Sequence, residues 1–264
     1  MAGAEDKKQA IRDYWEKQDT ISIIDEHLHR IEIDTASLYL QPSYVLADIG
    51  CGNGEATVEY ARKVASVVAI ERSDQLRGMA EAAVKREGLD NVKVQPGDVL
   101  ALDFDGDFDA VVTQRMIINM ESWEDQQTAI MSVHHALKPG GTFIMIENTN
   151  EAFVTLNEVR ARVDLAPIKQ HWHNRFFDRK KLFEFMDGKF QLLEEHDFSL
   201  YYFLTRVYTQ MFASFEGFGA GAKKDPLFKV SDKAARKIYE EFKDRVSFED
   251  NMSTIQCFAF RREA

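Results

Sequence analysis

The chain has 264 residues, of which 45% are hydrophobic and 29% are charged, a composition typical of a globular protein. Its 33 basic and 44 acidic residues give a net charge of −11, which argues against a broad phosphate-binding face for nucleic acid. Two cysteines cannot form a disulfide framework, and no apolar run approaches the roughly 18 residues of a membrane span, so we expect a cytoplasmic protein with no membrane partner.

The first forty residues are predicted to be helical. Apolar side chains recur there mostly at steps of three and four residues, which is the spacing of one helix face. These side chains are Ile11, Tyr14, Trp15, Ile21, Ile24, Leu28 and Ile31. We expect residues 1–40 to form a helical cover over the rest of the molecule.

Strands and helices then alternate. Short apolar runs predict strands at Tyr44–Ile49, Val67–Ile70, Val92–Gln95, Ala110–Thr113 and Thr142–Glu147. Helices are predicted at Glu55–Val64, Gln75–Lys85 and Trp123–Leu137, the last ending at a Lys-Pro-Gly-Gly turn. This alternation predicts an α/β fold with a Rossmann-like, mostly parallel sheet and helices on both faces.

The last third of the chain does not continue this alternation of strands and helices. We predict strands at Gln191–Phe198 and Thr254–Phe260, which could pair antiparallel at the edge of the sheet. The intervening segment, Ser199–Ser253, contains an aromatic stretch, Tyr201–Phe215, and a charged helix, Asp232–Arg245, and would form an inserted cap. The whole chain is expected to be one domain, with a cofactor-binding core at residues 41–150 and the cap and closing strands at residues 151–264.

The sharpest motif is the glycine-rich segment Asp48–Gly54, which follows a buried strand and precedes a helix. Glycines allow a tight turn and let a ligand approach backbone N–H groups at the carboxyl end of a parallel strand. Glu71 ends the next strand, nineteen positions after Gly52, where a carboxylate can accept hydrogen bonds from a ribose diol. The alternative is a structural glycine turn without a ligand, which strand, loop, helix and acidic residue together disfavour.

Two kinds of nucleoside cofactor are compatible with this arrangement. The dinucleotide fingerprint requires a third glycine at the position that Glu55 occupies. A glutamate beside a pyrophosphate is electrostatically unfavourable, whereas a sulfonium cation would tolerate the neighbouring acids, Asp48 among them. The local charge therefore favours S-adenosylmethionine over NAD.

At these positions the sequence resembles the class I S-adenosylmethionine-dependent methyltransferases. The similarity runs over residues 44–147, from the VLADIGCGNG motif through Glu71 and Gly97-Asp98-Val99 to the LKPGG turn. It implies that the glycine loop shapes the methionine pocket, that Glu71 holds the ribose hydroxyls and that Asp98 takes the adenine amino group. The implied cofactor-binding residues are Asp48, Gly50, Cys51, Gly52, Asn53, Glu71, Arg72, Asp98, Val99, Gln114 and Arg115. Metal-dependent relatives carry an aspartate where this chain has Gln114, so we expect no bound metal.

The chemical type of the methyl acceptor is predicted from the side chains that could remove a proton from it. An alcohol acceptor needs a base, and His171 and His173 flank Trp172 in a segment after the fifth strand. We name His173, His171 and Glu147 as catalytic candidates, although the histidine segment could equally be a structural turn.

We therefore expect methyl transfer to a hydroxyl of a small molecule, either sugar-containing or a secondary metabolite. The alternatives are a small-molecule N-methyltransferase, a non-catalytic cofactor-binding partner subunit and an NAD-linked oxidoreductase. A homodimer is also compatible with the sequence.

Overall fold

The structure, a computed structural model, describes residues 4–17, 25–211 and 226–263. Its helices are α1 (Ala4–Trp15), α2 (Glu26–Ser37), α3 (Glu55–Ala61), α4 (Asp74–Arg86), α5 (Trp123–Ala136), α6 (Asn150–Ala161), α7 (Arg179–Met186), α8 (Ser199–Tyr202) and α9 (Pro226–Phe242). Its strands are β1 (Val45–Ile49), β2 (Ser66–Glu71), β3 (Val92–Pro96), β4 (Phe108–Gln114), β5 (Leu137–Asn148), β6 (Phe190–Asp197) and β7 (Ile255–Arg262).

The seven strands form one sheet in the order β3-β2-β1-β4-β5-β7-β6. The β1 strand pairs in parallel with β2 and β4, and β2–β3 and β4–β5 are also parallel, which confirms the predicted Rossmann-like sheet. Most residues of β1, β4 and β5 are buried, as continuous apolar strands covered on both faces should be. The carboxyl ends of β1, β2 and β4 therefore lie side by side, with Ile49 opposite Ile70 and Thr113.

Two details of the sheet differ from the prediction. The β5 strand begins at Leu137 rather than Thr142, because Leu137 already pairs with Phe108 across a bulge, so the Lys-Pro-Gly-Gly turn lies within the strand. The closing strands are hydrogen-bonded neighbours, but β7 lies between β5 and β6 and only β6 is at the edge.

The N-terminal helices form where the apolar spacing predicted them. Asp25 caps α2 by accepting a hydrogen bond from the Leu28 amide, and Leu28, Ile31, Ile33 and Ala36 on that helix are buried. Ile21 and Ile24, which contributed to the prediction, lie outside the described residues.

The chain groups into two compact units. The first takes its residues from 1–147, 172–196 and 257–264 and includes helices α1 to α5 and α7. The second takes its residues from 148–171 and 197–256, and contains α6, α8 and α9. None of the helices in the described parts of the chain is long and apolar enough to cross a membrane.

In the second unit, the predicted aromatic stretch is helical as far as Met211 and passes through a π-helix at Phe203–Tyr208, and its residues 212–215 lie outside the described part. The charged helix runs from Pro226 to Phe242, beginning and ending earlier than predicted.

Candidate functional site

The glycine loop after β1 has three glycines with positive φ, and the space around them differs. Gly50 has φ +74°, and a Cβ added there would lie 2.3 Å from Cγ of Met116. Gly54 has φ +82° and begins α3, where a Cβ would lie 2.8 Å from Cα of Ala80 on α4. Gly52 has φ +58°, but its Cβ would meet no heavy atom within 4 Å. Two of the glycines are therefore required by packing, whereas Gly52 borders free space.

Asp48 places a buried carboxylate at the start of this loop. Its side chain accepts a 2.5 Å hydrogen bond from the Thr57 hydroxyl on α3. Burial raises the pKa of the Asp48 carboxyl to about 6, and the nearby Glu71 carboxylate adds to this increase, while the Thr57 hydrogen bond opposes it. The protein therefore stabilises the negative charge of an ionised Asp48 only weakly, and a cationic ligand would stabilise it further.

Glu71 links the end of β2 to the same loop. Its Oε2 accepts a hydrogen bond of 3.0 Å from the Gly52 amide, and its Oε1 accepts one of 2.8 Å from the Ser73 amide. Burial raises the pKa of Glu71, while the hydrogen bonds from Ser73 and Gly52 lower it. The carboxylate is thus fixed beside Gly52, and each of its oxygens can still accept a further hydrogen bond.

A third acidic group, Asp98, lies after β3. Its Oδ1 accepts a hydrogen bond from the Leu100 amide at 3.0 Å, and its Oδ2 lies 3.7 Å from the guanidinium groups of Arg72 and of Arg12 on α1. The Trp15 carbonyl of α1 accepts a hydrogen bond from the Ser73 hydroxyl. The N-terminal helix therefore contacts the loops that follow both β2 and β3.

Of the other expected residues in this region, Cys51 and Val99 are buried, and the side-chain amide of Asn53 donates a hydrogen bond to Glu55.

Gln114 ends β4 and Arg115 follows it, on the same rim of the sheet. Arg115 has φ +52°, a conformation that residues other than glycine rarely adopt. The Gln114 amide nitrogen contacts Nδ1 of His29 at 3.0 Å and donates to Glu32, and the Arg115 guanidinium lies 3.5 Å from Glu32. His29 and Glu32 of α2 were not among the site residues expected from the sequence.

Glu147, expected as a catalytic candidate, is 0% exposed at the end of β5. Its carboxylate accepts hydrogen bonds from the amides of Met116 (3.1 Å), Ile117 (2.8 Å) and Ile118 (3.3 Å). Burial raises the pKa of Glu147 to about 8, while these three N–H groups act in the opposite direction. The carboxylate thus holds the loop after β4 in place.

The two histidine candidates have different surroundings. His173 is buried, and its ring stacks on Tyr14 of α1 with centroids 4.6 Å apart and meets the Trp15 ring edge-on at 5.6 Å. His171 is exposed and belongs to the other compact unit, and Trp172 between them is 53% exposed. Residues 172 and 173 form a turn rather than part of an extended segment, so the two histidines do not share one environment.

Residues 46–141 match the family model of a methyltransferase domain. This match covers most of the segment that resembles the class I S-adenosylmethionine-dependent methyltransferases, as the sequence analysis above describes. The residues present fit S-adenosylmethionine as a donor, since the glycine loop leaves free space at Gly52, where the partly buried Glu71 carboxylate is held, and Asp48 adds a buried carboxyl at the start of the loop. The donor would bring a ribose diol, which a carboxylate can bind, and a sulfonium charge, which neighbouring acids would attract, whereas Glu55 would oppose a pyrophosphate.

Three proteins illustrate what this chain is similar to. An uncharacterized methyltransferase from Synechocystis sp. is 32% identical over 47% of this chain and 55% of its own length. A ubiquinone biosynthesis O-methyltransferase from Xanthomonas axonopodis pv. citri is 28% identical over 74% of this chain and 83% of its own length. The crystal structure of the [4+2]-cyclase SpnF superimposes with a TM-score of 0.59 at 20% identity, covering 95% of this chain and 86% of that one, which is a likeness of fold alone. The chain thus spans little more than half the length of the Synechocystis relative.

The charge of Asp48 predicts that donor affinity depends on pH. Below a pKa of about 6 the carboxyl is protonated and no longer attracts the sulfonium cation, so affinity for S-adenosylmethionine should fall as pH decreases. The expected loss is up to about tenfold per pH unit below 6, measured by calorimetry between pH 8 and pH 5. The Asp48→Asn variant is the control and should show a flatter profile, so equal profiles for the two proteins would exclude Asp48 as the titrating group.

Proposed function

We propose that the protein transfers a methyl group from S-adenosylmethionine to a hydroxyl of a small molecule. The observation that carries this proposal is the contact of Glu71 with the Gly52 amide, beside the free space at Gly52, on the rim where β1, β2 and β4 end, with the buried Asp48 carboxyl near the end of β1. When bound, the donor supplies an activated methyl group on its sulfonium. The protein's own contribution is to bind it, exclude water and align the acceptor with the S–CH₃ bond.

Each site residue has a proposed role. Glu71 holds the ribose hydroxyls, Asp98 accepts from the adenine amino group, and Asp48 attracts the cationic end of the donor. The remaining proposed donor contacts are those of Gly50, Cys51, Gly52, Asn53, Arg72, Val99, Gln114 and Arg115. Glu147 is proposed to act through the loop after β4, because its oxygens are already occupied by three backbone amides.

The preference for a hydroxyl acceptor has two supports. The Xanthomonas relative, which this chain matches over 83% of that protein's length, is named an O-methyltransferase of ubiquinone biosynthesis. An alcohol also needs a proton acceptor, and an imidazole near neutral pH suits that task. We propose His173 as this base, with exposed His171 as the second candidate, and a sugar-containing or secondary-metabolite alcohol as the acceptor.

Substitution of His173 tests the proposed base. Because its ring stacks on Tyr14, His173→Phe keeps an aromatic ring in the stack while removing the nitrogen that would accept a proton. We expect transfer to hydroxyl acceptors to slow by roughly 100-fold or more, with unchanged affinity for S-adenosylhomocysteine. His171→Phe is the matched variant and should transfer normally if His173 is the base.

The measurement is the formation of S-adenosylhomocysteine over a panel of alcohols, including sugars and phenols, and the corresponding amines. Turnover on amines alone would replace the hydroxyl assignment by N-methylation. Firm cofactor binding without any turnover on the whole panel would favour a non-catalytic partner subunit.

A further inference from the structure

Helix α2 carries a fully buried charge whose placement points to the donor site. Glu32 is 0% exposed, although it lies on the helix face that otherwise buries Leu28, Ile31 and Ala36. Taking a carboxylate out of water is costly, and a buried ion pair in general adds little to stability. The residue therefore needs an explanation other than core packing.

The hydrogen bond and the ion pairs of Glu32 connect it to the end of β4, to Arg115 just after it and to His29 on its own helix. Its Oε2 accepts a short hydrogen bond from the Gln114 side chain and lies 3.5 Å from the Arg115 guanidinium. His29, one turn earlier on α2, places its Nδ1 3.7 Å from the same oxygen and 3.0 Å from the Gln114 amide nitrogen. The other carboxylate oxygen, Oε1, is buried and has no hydrogen-bond partner among the residues that the structure describes.

The backbone of this loop is independently fixed in a strained form. Arg115 has φ +52°, its amide donates to the Ile146 carbonyl at 2.7 Å, and its own carbonyl accepts from the Asn119 side chain at 2.8 Å. Glu147 binds the next three amides, at residues 116–118. Such strain persists only where the surroundings over-determine it, and it concentrates at functional sites.

We infer that Glu32 is a positioning residue that orients the side chains of Gln114 and Arg115 toward the bound donor. Glu147 fixes the backbone of the loop and Glu32 fixes the two side chains, so that both are set before the donor arrives. Preorganisation of this kind increases affinity, because ordering of flexible side chains is not required on binding. The inference rests on the proposed function, since it takes Gln114 and Arg115 as groups that face the donor.

A double-mutant cycle tests the inference. The variants are Glu32→Gln, Arg115→Gln and the combination, and the measured quantity is the Kd for S-adenosylhomocysteine by calorimetry. Each single variant should weaken binding about tenfold, and the double variant should also lose about tenfold rather than the hundredfold that independent sites would give. Asp34→Asn, which removes a charge from an exposed position of the same helix, should bind like the wild type.

The possible outcomes separate the two proposals. If wild-type protein does not bind S-adenosylhomocysteine, the proposed function fails and the inference falls with it. If wild type binds but Glu32→Gln binds equally well, or if the two losses multiply, Glu32 does not act through Arg115 and the inference alone is wrong. Thermal unfolding provides the second readout, because the positioning role predicts a Tm within a few degrees of wild type. A Glu32→Gln protein that is unfolded would assign a purely structural role to the residue.

Discussion

Replacement of Gly52 by alanine is expected to abolish measurable donor binding while leaving the protein folded. The added methyl group would meet no protein atom within 4 Å, so it would project into the free space that we assign to the donor. We expect affinity for S-adenosylhomocysteine to fall by about 100-fold or more. The positive φ of +58° adds a backbone cost of roughly 1–2 kcal/mol, which corresponds to a Tm decrease of several degrees.

The matched control for this experiment is Gly188→Ala. Gly188 has φ +69° and likewise no heavy atom near its Cβ position, but it lies in the turn between α7 and β6, away from the glycine loop. Both variants should lose a similar amount of stability, and only Gly52→Ala should lose binding. Equal affinity in the two variants would show that the space beside Gly52 is not where the donor lies.

Removal of the Glu71 carboxylate is the second change with a large expected effect. In the donor complex this group would accept hydrogen bonds from both ribose hydroxyls, and hydrogen bonds to a charged group contribute about 1.5–3 kcal/mol each. Its contacts with the amides of Gly52 and Ser73 also hold the loop in shape. We therefore expect Glu71→Ala to weaken binding of S-adenosylhomocysteine by at least about 100-fold, as measured by calorimetry.

Glu81→Ala is the control for Glu71. Glu81 is exposed on α4, the helix that follows the Glu71 strand, and its loss removes the same charge and side chain from the surface. This variant should bind as the wild type does. A Glu71→Ala protein with wild-type affinity and a normal unfolding transition would refute the assignment of Glu71 to the ribose.

The sheet and the donor loop could be predicted from the sequence because both depend on local signals. Glycine alternation after an apolar strand and an acidic residue at the end of the next strand are visible in the order of residues alone. The contact between Glu71 and the Gly52 amide follows from the parallel pairing of β1 with β2.

The role of Glu147 was harder to predict, because it depends on tertiary structure. In the sequence, a carboxylate at the carboxyl end of a strand is a candidate catalytic residue. In the structure, the chain turns at Arg115 with a positive φ, and the three backbone amides that follow donate to the Glu147 carboxylate. The contact between α2 and the end of β4 also joins residues that are far apart in the sequence. Glu32 interrupts an otherwise apolar helix face, and its partner Gln114 lies 82 positions away. An exception to amphipathic patterning was the one signal that could have identified it.

The most direct test of the account is calorimetry of the wild-type protein with S-adenosylhomocysteine and, separately, with NAD. The account predicts saturable one-to-one binding of the first ligand and no detectable heat with the second. Binding of NAD in preference to S-adenosylhomocysteine, or no binding of either, would contradict the assignment of Asp48, Gly52 and Glu71 to a sulfonium methyl donor.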